Sequence, residues 1–187
     1  MKHLHKQLVN KQMGFTLIEM MVAMAVLAIV VSMALPSFRL MIANTQIRSV
    51  AESVRNGLQL ARAEAVKRNE SVIFTLNADR SWQLGCVNVV IDLDGDGRDD
   101  CPAVIMQKGI KEGGGRAVTV VGAGQATFTS LGTLAPIVGQ LQRVDFTSTT
   151  VAMGATPLRI TLGVGGNARM CDPSIAAAAD ARSCLGL

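Results

Sequence analysis

The chain has 187 residues with a formal net charge of +4, and 49% of them are hydrophobic. This length predicts one domain of ordinary size plus a membrane helix. Aromatic residues make up only 3% of the chain and tyrosine is absent, which argues against a base-stacking platform for single-stranded nucleic acid.

The N-terminal region joins a short basic stretch to a long apolar run. Positions 14–19 read G-F-T-L-I-E, and no charged residue occurs from Met20 to Leu35. Residues 15–38 are therefore long enough to cross a bilayer as one helix. The positive residues before this helix predict that residues 1–14 stay in the cytoplasm and that the rest is exported. A carboxylate at the end of a membrane helix is costly, so Glu19 needs a partner or a function.

This pattern resembles the class III signal of type IV pilins and pseudopilins. The resemblance implies that a prepilin peptidase cuts between Gly14 and Phe15 and methylates the new N-terminal residue, Phe15. It also implies that Glu19 pairs with the N-terminal amine of a neighbouring subunit, which fixes the axial register of a filament, and that Pro36 kinks the helix. The alternative is an ordinary signal anchor in which the glutamate is incidental.

Cleavage after Gly14 changes the chemistry of the mature chain. Both histidines, His3 and His5, belong to the 1–14 leader, so their loss excludes a histidine metal site or a histidine catalytic base. Three lysines are lost as well, which leaves 15 of the 18 basic residues against 14 acidic ones. A net charge near +1 gives no electrostatic reason to predict a nucleic-acid-binding protein.

Residues 39–70 are predicted to continue the helix beyond the membrane, because helical periodicity resumes directly after Pro36. Apolar residues follow one another at steps of three and four and form a single stripe on an otherwise polar helix. The stripe consists of Ile47, Ala51, Val54, Leu58, Ala61 and Ala65. Asn69 is a plausible end of the helix.

From Ser71 the hydrophobic period shortens. Seven short segments rich in β-branched residues alternate with turn residues over residues 71–187, without βαβ alternation. We therefore predict an α+β protein in which a long N-terminal helix, transmembrane in its first half and amphipathic in its second, packs on a mainly antiparallel β-sheet head. An N-terminal helix followed by strands is also what a pilin-like head looks like.

The four cysteines, Cys86, Cys101, Cys171 and Cys184, all lie in the part of the chain that we expect to be exported. An even number of cysteines in an oxidising compartment implies disulfides, and three pairings are possible. We favour pairing of nearest neighbours, which closes two short loops. A zinc site is the rival interpretation, but the chain has no C-x-x-C pair.

The first of these loops is rich in aspartate. Asp92, Asp94, Asp96 and Asp100 match positions one, three, five and nine of an EF-hand calcium loop, with Gly97 at position six. Ala103 occupies position twelve, where the bidentate glutamate belongs. The segment is therefore either a weak calcium site or a hairpin turn in which aspartates bond to local backbone amides.

The C-terminal segment resembles the end of GspH/FimT-type minor pilins, in which a late strand enters a G-R-x-R motif followed by a cysteine. Here Gly166 and Arg169 match and Asn167 replaces the first arginine. In DNA-uptake members of that group the arginines contact DNA. The resemblance makes Asn167 and Arg169 candidate contacts for duplex DNA, and Arg159 and Arg182 are candidates because they can form a small basic patch with Arg169. Such binding would be sequence-independent and sensitive to salt. The alternative is a disulfide-closed loop with surface arginines.

No catalytic constellation is evident, and we predict a non-enzyme. The resemblance implies a minor pilin of a type IV pilus, placed near the filament tip, that supports pilus assembly, twitching motility and DNA uptake. Because Glu19 is present, we place the protein beneath the tip. Its partners would be other major and minor pilins, the prepilin peptidase and the membrane. The alternative is a GspH-like minor pseudopilin of a type II secretion system.

Overall fold

A computed structural model describes residues 14–91, 95, 100–110, 112, 115–151 and 154–185. The chain divides into two compact units, Met1–Phe38 and Arg39–Leu187. One helix, α1, runs from Leu17 to Arg68. It is the one helix of the described residues that is long and apolar enough to cross a membrane, as judged by length and composition. Every side chain from residue 14 to 39 is exposed, so the apolar surface of this segment has no partner among the described residues.

The described residues of the second unit form eight short strands. They are β1 (Val72–Leu76), β2 (Trp82–Cys86), β3 (Met106–Lys108), β4 (Val118–Val121), β5 (Gly124–Phe128), β6 (Arg143–Ser148), β7 (Leu158–Leu162) and β8 (Ala168–Cys171). All pairings are antiparallel, and they form two four-stranded sheets with the orders β3-β2-β1-β5 and β4-β6-β7-β8. The predicted α+β class and the antiparallel pairing are confirmed, although the strands form two sheets rather than one.

The second half of α1 packs on the strands of the same unit. All six residues of the predicted apolar stripe are buried, together with Ala43, Val50 and Gly57. The stripe residues and Val50 join one hydrophobic cluster that contains core residues of both sheets, with Phe74, Phe128 and Phe146 among its largest fully buried side chains. A strip of small residues along the helix brings its backbone close to the strands.

The end of α1 is set by Asn69, as predicted. Its φ angle is +54°, a left-handed conformation that asparagine tolerates better than most residues. The Glu70 N–H donates to the Ala65 carbonyl at 3.2 Å and the Asn69 N–H to the Val66 carbonyl at 3.3 Å. These two hydrogen bonds form a Schellman cap, which satisfies carbonyls that the last turn leaves open.

Two strand boundaries differ from the sequence prediction. The apolar run after Trp82 continues in the sequence beyond Cys86, but β2 ends at Cys86, where the Cys86 N–H donates to the Pro102 carbonyl and the Val87 N–H donates to the Ser71 carbonyl. The segment Ala168–Cys171 was not predicted as a strand, yet it pairs with β7 as β8. Its four residues have no alternating pattern of apolar side chains, so the pairing depends on the neighbouring strand.

Candidate functional site

The start of α1 places the predicted processing motif at an accessible position. No atom of the described residues lies within 4 Å of the position that a Gly14 Cβ would occupy, apart from its chain neighbours, and the Phe15 side chain is 79% exposed. Thr16 precedes the first helical residue, and its hydroxyl accepts a hydrogen bond from the Glu19 N–H at 3.3 Å. Thr16 therefore acts as the N-cap, and the cleavage bond predicted between Gly14 and Phe15 lies just outside the helix.

Glu19 occupies the third position of the helix. The N-terminal end of a helix carries a partial positive charge, which favours a carboxylate in the first turn. Among the described residues, no cationic group pairs with the Glu19 carboxylate, and the residue is exposed. The carboxylate is thus oriented by the helix start and is available to a cation from another molecule.

Pro36 lies inside α1, which continues to Arg68, so the prediction that this proline does not end the helix is confirmed. Because proline has no N–H, the Ser32 carbonyl lacks its usual helical donor. The Ser32 hydroxyl donates to the Ile29 carbonyl at 2.7 Å, which places a polar side chain on the backbone in the preceding turn. The helix therefore lacks one backbone hydrogen bond within the apolar segment.

Both disulfides join nearest neighbours, which confirms the favoured pairing. Cys86 bonds to Cys101, and Cys171 bonds to Cys184. The second bridge holds the C-terminal loop beside β8, where the Asp172 N–H donates to the Arg182 carbonyl at 2.7 Å. The loop therefore lies beside the C-terminal end of that strand.

Most of the predicted calcium site lies outside the described residues, because Asp92, Asp94 and Asp96 are not among them. Asp100 is described, and its backbone carbonyl accepts a hydrogen bond from the Arg68 guanidinium. The described residues contain no group of three or more metal-ligating side chains. Calcium binding therefore stays a prediction.

The candidate DNA-binding residues are divided between two places. Arg159 and Arg169 project from the same face of the second sheet, because Arg159 pairs with Cys171 and Thr161 pairs with Arg169 in the β7–β8 register. Arg182 lies on the C-terminal loop. Arg169 reaches the same loop, since its guanidinium donates to the Ala181 carbonyl at 2.9 Å.

Acidic neighbours offset two of these arginines. The Arg159 Nε lies 2.6 Å from an Asp145 oxygen, and an Arg182 nitrogen lies 2.8 Å from an Asp180 oxygen. Hydrogen bonds from Arg182 lower the pKa of the Asp180 carboxyl to about 2. The pairing of Arg159 with Asp145 depends on the β6–β7 register, in which the two residues are opposite.

Gly166 and Asn167 lie at the β7–β8 turn. Gly166 has a φ angle of +76°, and a Cβ there would lie 2.1 Å from the Gly132 carbonyl oxygen. Backbone packing thus requires glycine at the position that matches the family motif. Asn167 is exposed, so the turn presents a neutral amide where the motif has an arginine.

The sequence analysis missed Arg143. This residue starts β6 and lies opposite Thr161, which in turn lies opposite Arg169. Arg143, Thr161 and Arg169 therefore form one row across three strands, and the Arg143 side chain is 63% exposed. The alternation in R-V-D-F, with Val144 and Phe146 buried, was the signal that points Arg143 outward.

Comparison with known proteins identifies the family. Residues 50–174 match the family described as Type II transport protein GspH, and residues 9–35 match the prokaryotic N-terminal methylation motif. A comparison with curated protein sequences found no match.

Two solved structures have a similar fold. The type IV minor pilin FimU of Pseudomonas aeruginosa is 19% identical with a TM-score of 0.46, covering 70% of this chain and 95% of FimU. The minor pseudopilin EpsH from the Type 2 Secretion System of Vibrio cholerae is 17% identical with a TM-score of 0.45, covering 71% of this chain and 99% of EpsH. Such distant likenesses add nothing to the assignment, which depends on the family match over more than half of the sequence. The chain therefore belongs to the GspH family of minor pilins and pseudopilins, and it carries the N-terminal methylation motif of that class.

Proposed function

We propose that this protein is a minor pilin of a type IV pilus. It is cut after Gly14, methylated on Phe15, and held in the inner membrane by residues 15–38 with its head in the periplasm. It then enters the filament near the tip and supports pilus assembly and twitching motility. As a structural subunit, it acts through contacts with other pilins rather than through catalysis.

One observation carries this proposal. In the described part of the first unit, residues 17–38 form a helix whose apolar side chains are all exposed, and the carboxylate of Glu19 has no cationic partner among the described residues. Lipid satisfies the apolar surface but not the charge. A bundle of similar helices satisfies both, because the amine of a neighbouring Phe15 supplies the missing cation. The helix therefore has a lower free energy in the filament than in the bilayer, and this difference favours assembly of the subunit.

Processing is tested by mass spectrometry of the protein purified from the membranes of its own host. We expect the mature chain to start at Phe15 and to carry one methyl group. A Gly14→Val variant should keep the leader, because a branched side chain directly before the cleaved bond hinders the approach of the peptidase. An N-terminus elsewhere, or an unmethylated Phe15, contradicts the proposed processing.

The second candidate is a minor pseudopilin of a type II secretion system, which the description of the matched family favours. A clean deletion strain, complemented with the wild-type gene, distinguishes the two. Loss of surface pili and twitching with normal secretion of exoproteins supports the pilus. Loss of secretion with normal twitching supports the pseudopilus.

We also propose that the row of Arg143, Thr161 and Arg169 contacts the backbone of duplex DNA. The row offers two arginines and a hydroxyl on one sheet face, while Asp145 offsets part of the charge. A mobility-shift assay with the full-length protein in detergent tests this role. Replacing both arginines with alanine should make the slope of log K against log salt concentration shallower, by the amount that corresponds to about two phosphate contacts. A Lys67→Ala control, at the far end of α1, should leave the shift unchanged, and equal shifts for all three proteins exclude the row.

A further inference from the structure

Within the described residues, other parts of the chain form hydrogen bonds at or beside three of the four outer edge strands. On β5, the Thr127 N–H donates to the Gln140 side chain at 2.6 Å. On β4, the Arg80 guanidinium donates to a strand carbonyl at 3.1 Å. Beside β8, the Asp172 N–H donates to the Arg182 carbonyl. Hydrogen bonds of this kind occupy backbone groups of an edge strand and hinder its pairing with another chain.

The edge of β3 differs from these three. The Leu84 carbonyl accepts a hydrogen bond from the Ile105 N–H at 2.9 Å, so the backbone groups of Leu84 and of Trp82, two residues away, face β3. Met106 is opposite Leu84 and Lys108 is opposite Trp82, so the backbone groups of both end residues of β3 bond to β2. The backbone N–H and carbonyl of the central residue, Gln107, therefore point away from the sheet. Gln107 is exposed, and its backbone has no hydrogen-bond partner among the described residues.

A groove of ≈450 Å³ lies beside this edge, between α1 and β3. Its lining includes Glu52, Asn56 and Leu60 from the helix and Trp82, Met106 and Lys108 from the sheet. The Met106 side chain is 47% exposed, which gives the groove an apolar wall. The Trp82 ring lies on the inner face of the sheet and forms part of the floor.

The groove also carries a positive charge that forms no ion pair with the described residues. The Lys108 ammonium donates to the Ser53 hydroxyl at 2.6 Å, and the Trp82 indole N–H donates to the same oxygen at 3.1 Å. No described carboxylate lies within 4.0 Å of the Lys108 nitrogen. Glu52, on the opposite wall, lies 3.7 Å from Arg48 instead. The groove therefore favours a ligand that brings its own carboxylate.

We propose that the β3 edge and this groove bind an extended peptide segment of a partner protein, with alternating apolar side chains and one acidic residue. The segment adds a fifth strand to the sheet by bonding to the outward N–H and carbonyl of Gln107. Every second side chain points towards α1 and packs on Trp82 and Met106. The acidic side chain pairs with Lys108. This interaction goes beyond the proposed filament role and does not depend on it.

The chain offers a direct probe, because Trp82 is its only tryptophan. The full-length protein in detergent micelles is titrated with a synthetic hexapeptide of alternating valine and threonine that contains one glutamate. We expect a saturable blue shift of the Trp82 fluorescence below about 1 mM peptide. The same peptide with its backbone nitrogens methylated should give no saturable shift, because it cannot donate to the edge.

Two pairs of variants separate the contacts. Gln107→Pro removes the outward N–H and should weaken binding about tenfold, whereas Gln107→Ala keeps the donor and should bind like the wild type. Lys108→Gln should weaken binding about threefold, and Lys67→Gln should not. The absence of a saturable shift overturns the proposal, as does equal binding of the peptide and its methylated form, a comparison that needs no variant to fold.

Discussion

Replacing Gly57 with alanine sets two effects of opposite sign against each other. In the interior of an exposed helix this substitution stabilises by about 1 kcal/mol, because glycine loses more backbone entropy than alanine. At position 57, however, the new Cβ would lie 2.7 Å from Phe74 Cε2 and 3.2 Å from the nearest ring atoms of Trp82. Phe74 is fully buried in the core, so its ring has little room to move.

Overpacking of a filled core costs about 1–3 kcal/mol. Subtracting the gain in helix propensity leaves a net destabilisation of up to about 2 kcal/mol. The matched control is Asn56→Ala on the exposed side of the same turn, where only the propensity changes and a gain of about 0.5 kcal/mol is expected. The two neighbouring substitutions should therefore shift stability in opposite directions.

Urea unfolding of the full-length protein, followed by Trp82 fluorescence, measures both variants. With a slope of about 2 kcal/mol/M, the Gly57→Ala midpoint should fall by roughly 0.5 M and the Asn56→Ala midpoint should rise by roughly 0.2 M. A rise for Gly57→Ala similar to that of the control would refute the close contact of α1 with Phe74 on β1 and Trp82 on β2, and with it the reason for a glycine in this helix.

Three further predictions concern the loops of the head. Gly166→Ala forces a Cβ to 2.1 Å from the Gly132 oxygen at a left-handed φ angle, so the melting temperature should drop by several degrees, and an unchanged value contradicts the tight turn. Arg182 lowers the pKa of Asp180 to about 2 from 3.8, so the pair stabilises the head above pH 4, and this contribution is lost as the pH falls towards 2. Acid titration of Asp180→Asn by circular dichroism should show a weaker pH dependence in that window, and an identical curve rejects the pair as a contributor. For a calcium site in the first disulfide loop with a dissociation constant near 1 mM, 10 mM calcium stabilises by about 1.4 kcal/mol. An unchanged melting temperature leaves those aspartates as turn residues.

Local signals predicted the helical half of the fold well. The apolar stripe of residues 47–65 was read from a 3.6-residue period, and burial follows the same spacing because one face of a helix meets the core. Asn69 was likewise recognisable from its tolerance of the left-handed conformation. The nearest-neighbour disulfides were favoured because they close short loops, and both formed.

Features that depend on strand register were not predictable from the sequence. Arg159 and Asp145 are 14 residues apart, and only the pairing of β6 with β7 places them opposite each other. The division into two sheets depends on which strand pairs with which, and the sequence of a short strand does not identify its partner. The same limit hid Arg143, although its outward direction was already present in the alternation of its own strand.

The fate of Glu19→Ala in cells tests the central claim most directly. The wild-type protein, Glu19→Ala and a Glu52→Ala control are expressed in a strain that lacks the native gene, and each is quantified by immunoblot in membranes and in sheared filaments. Glu52 is an exposed carboxylate on the same helix but outside the apolar segment, so its loss should not change incorporation. Glu19→Ala should be cleaved normally yet reach the filaments at less than about a tenth of the wild-type amount, because a buried charge pair with the neighbouring amine is lost. Incorporation of Glu19→Ala at the wild-type level would contradict the proposed role of this carboxylate in filament assembly.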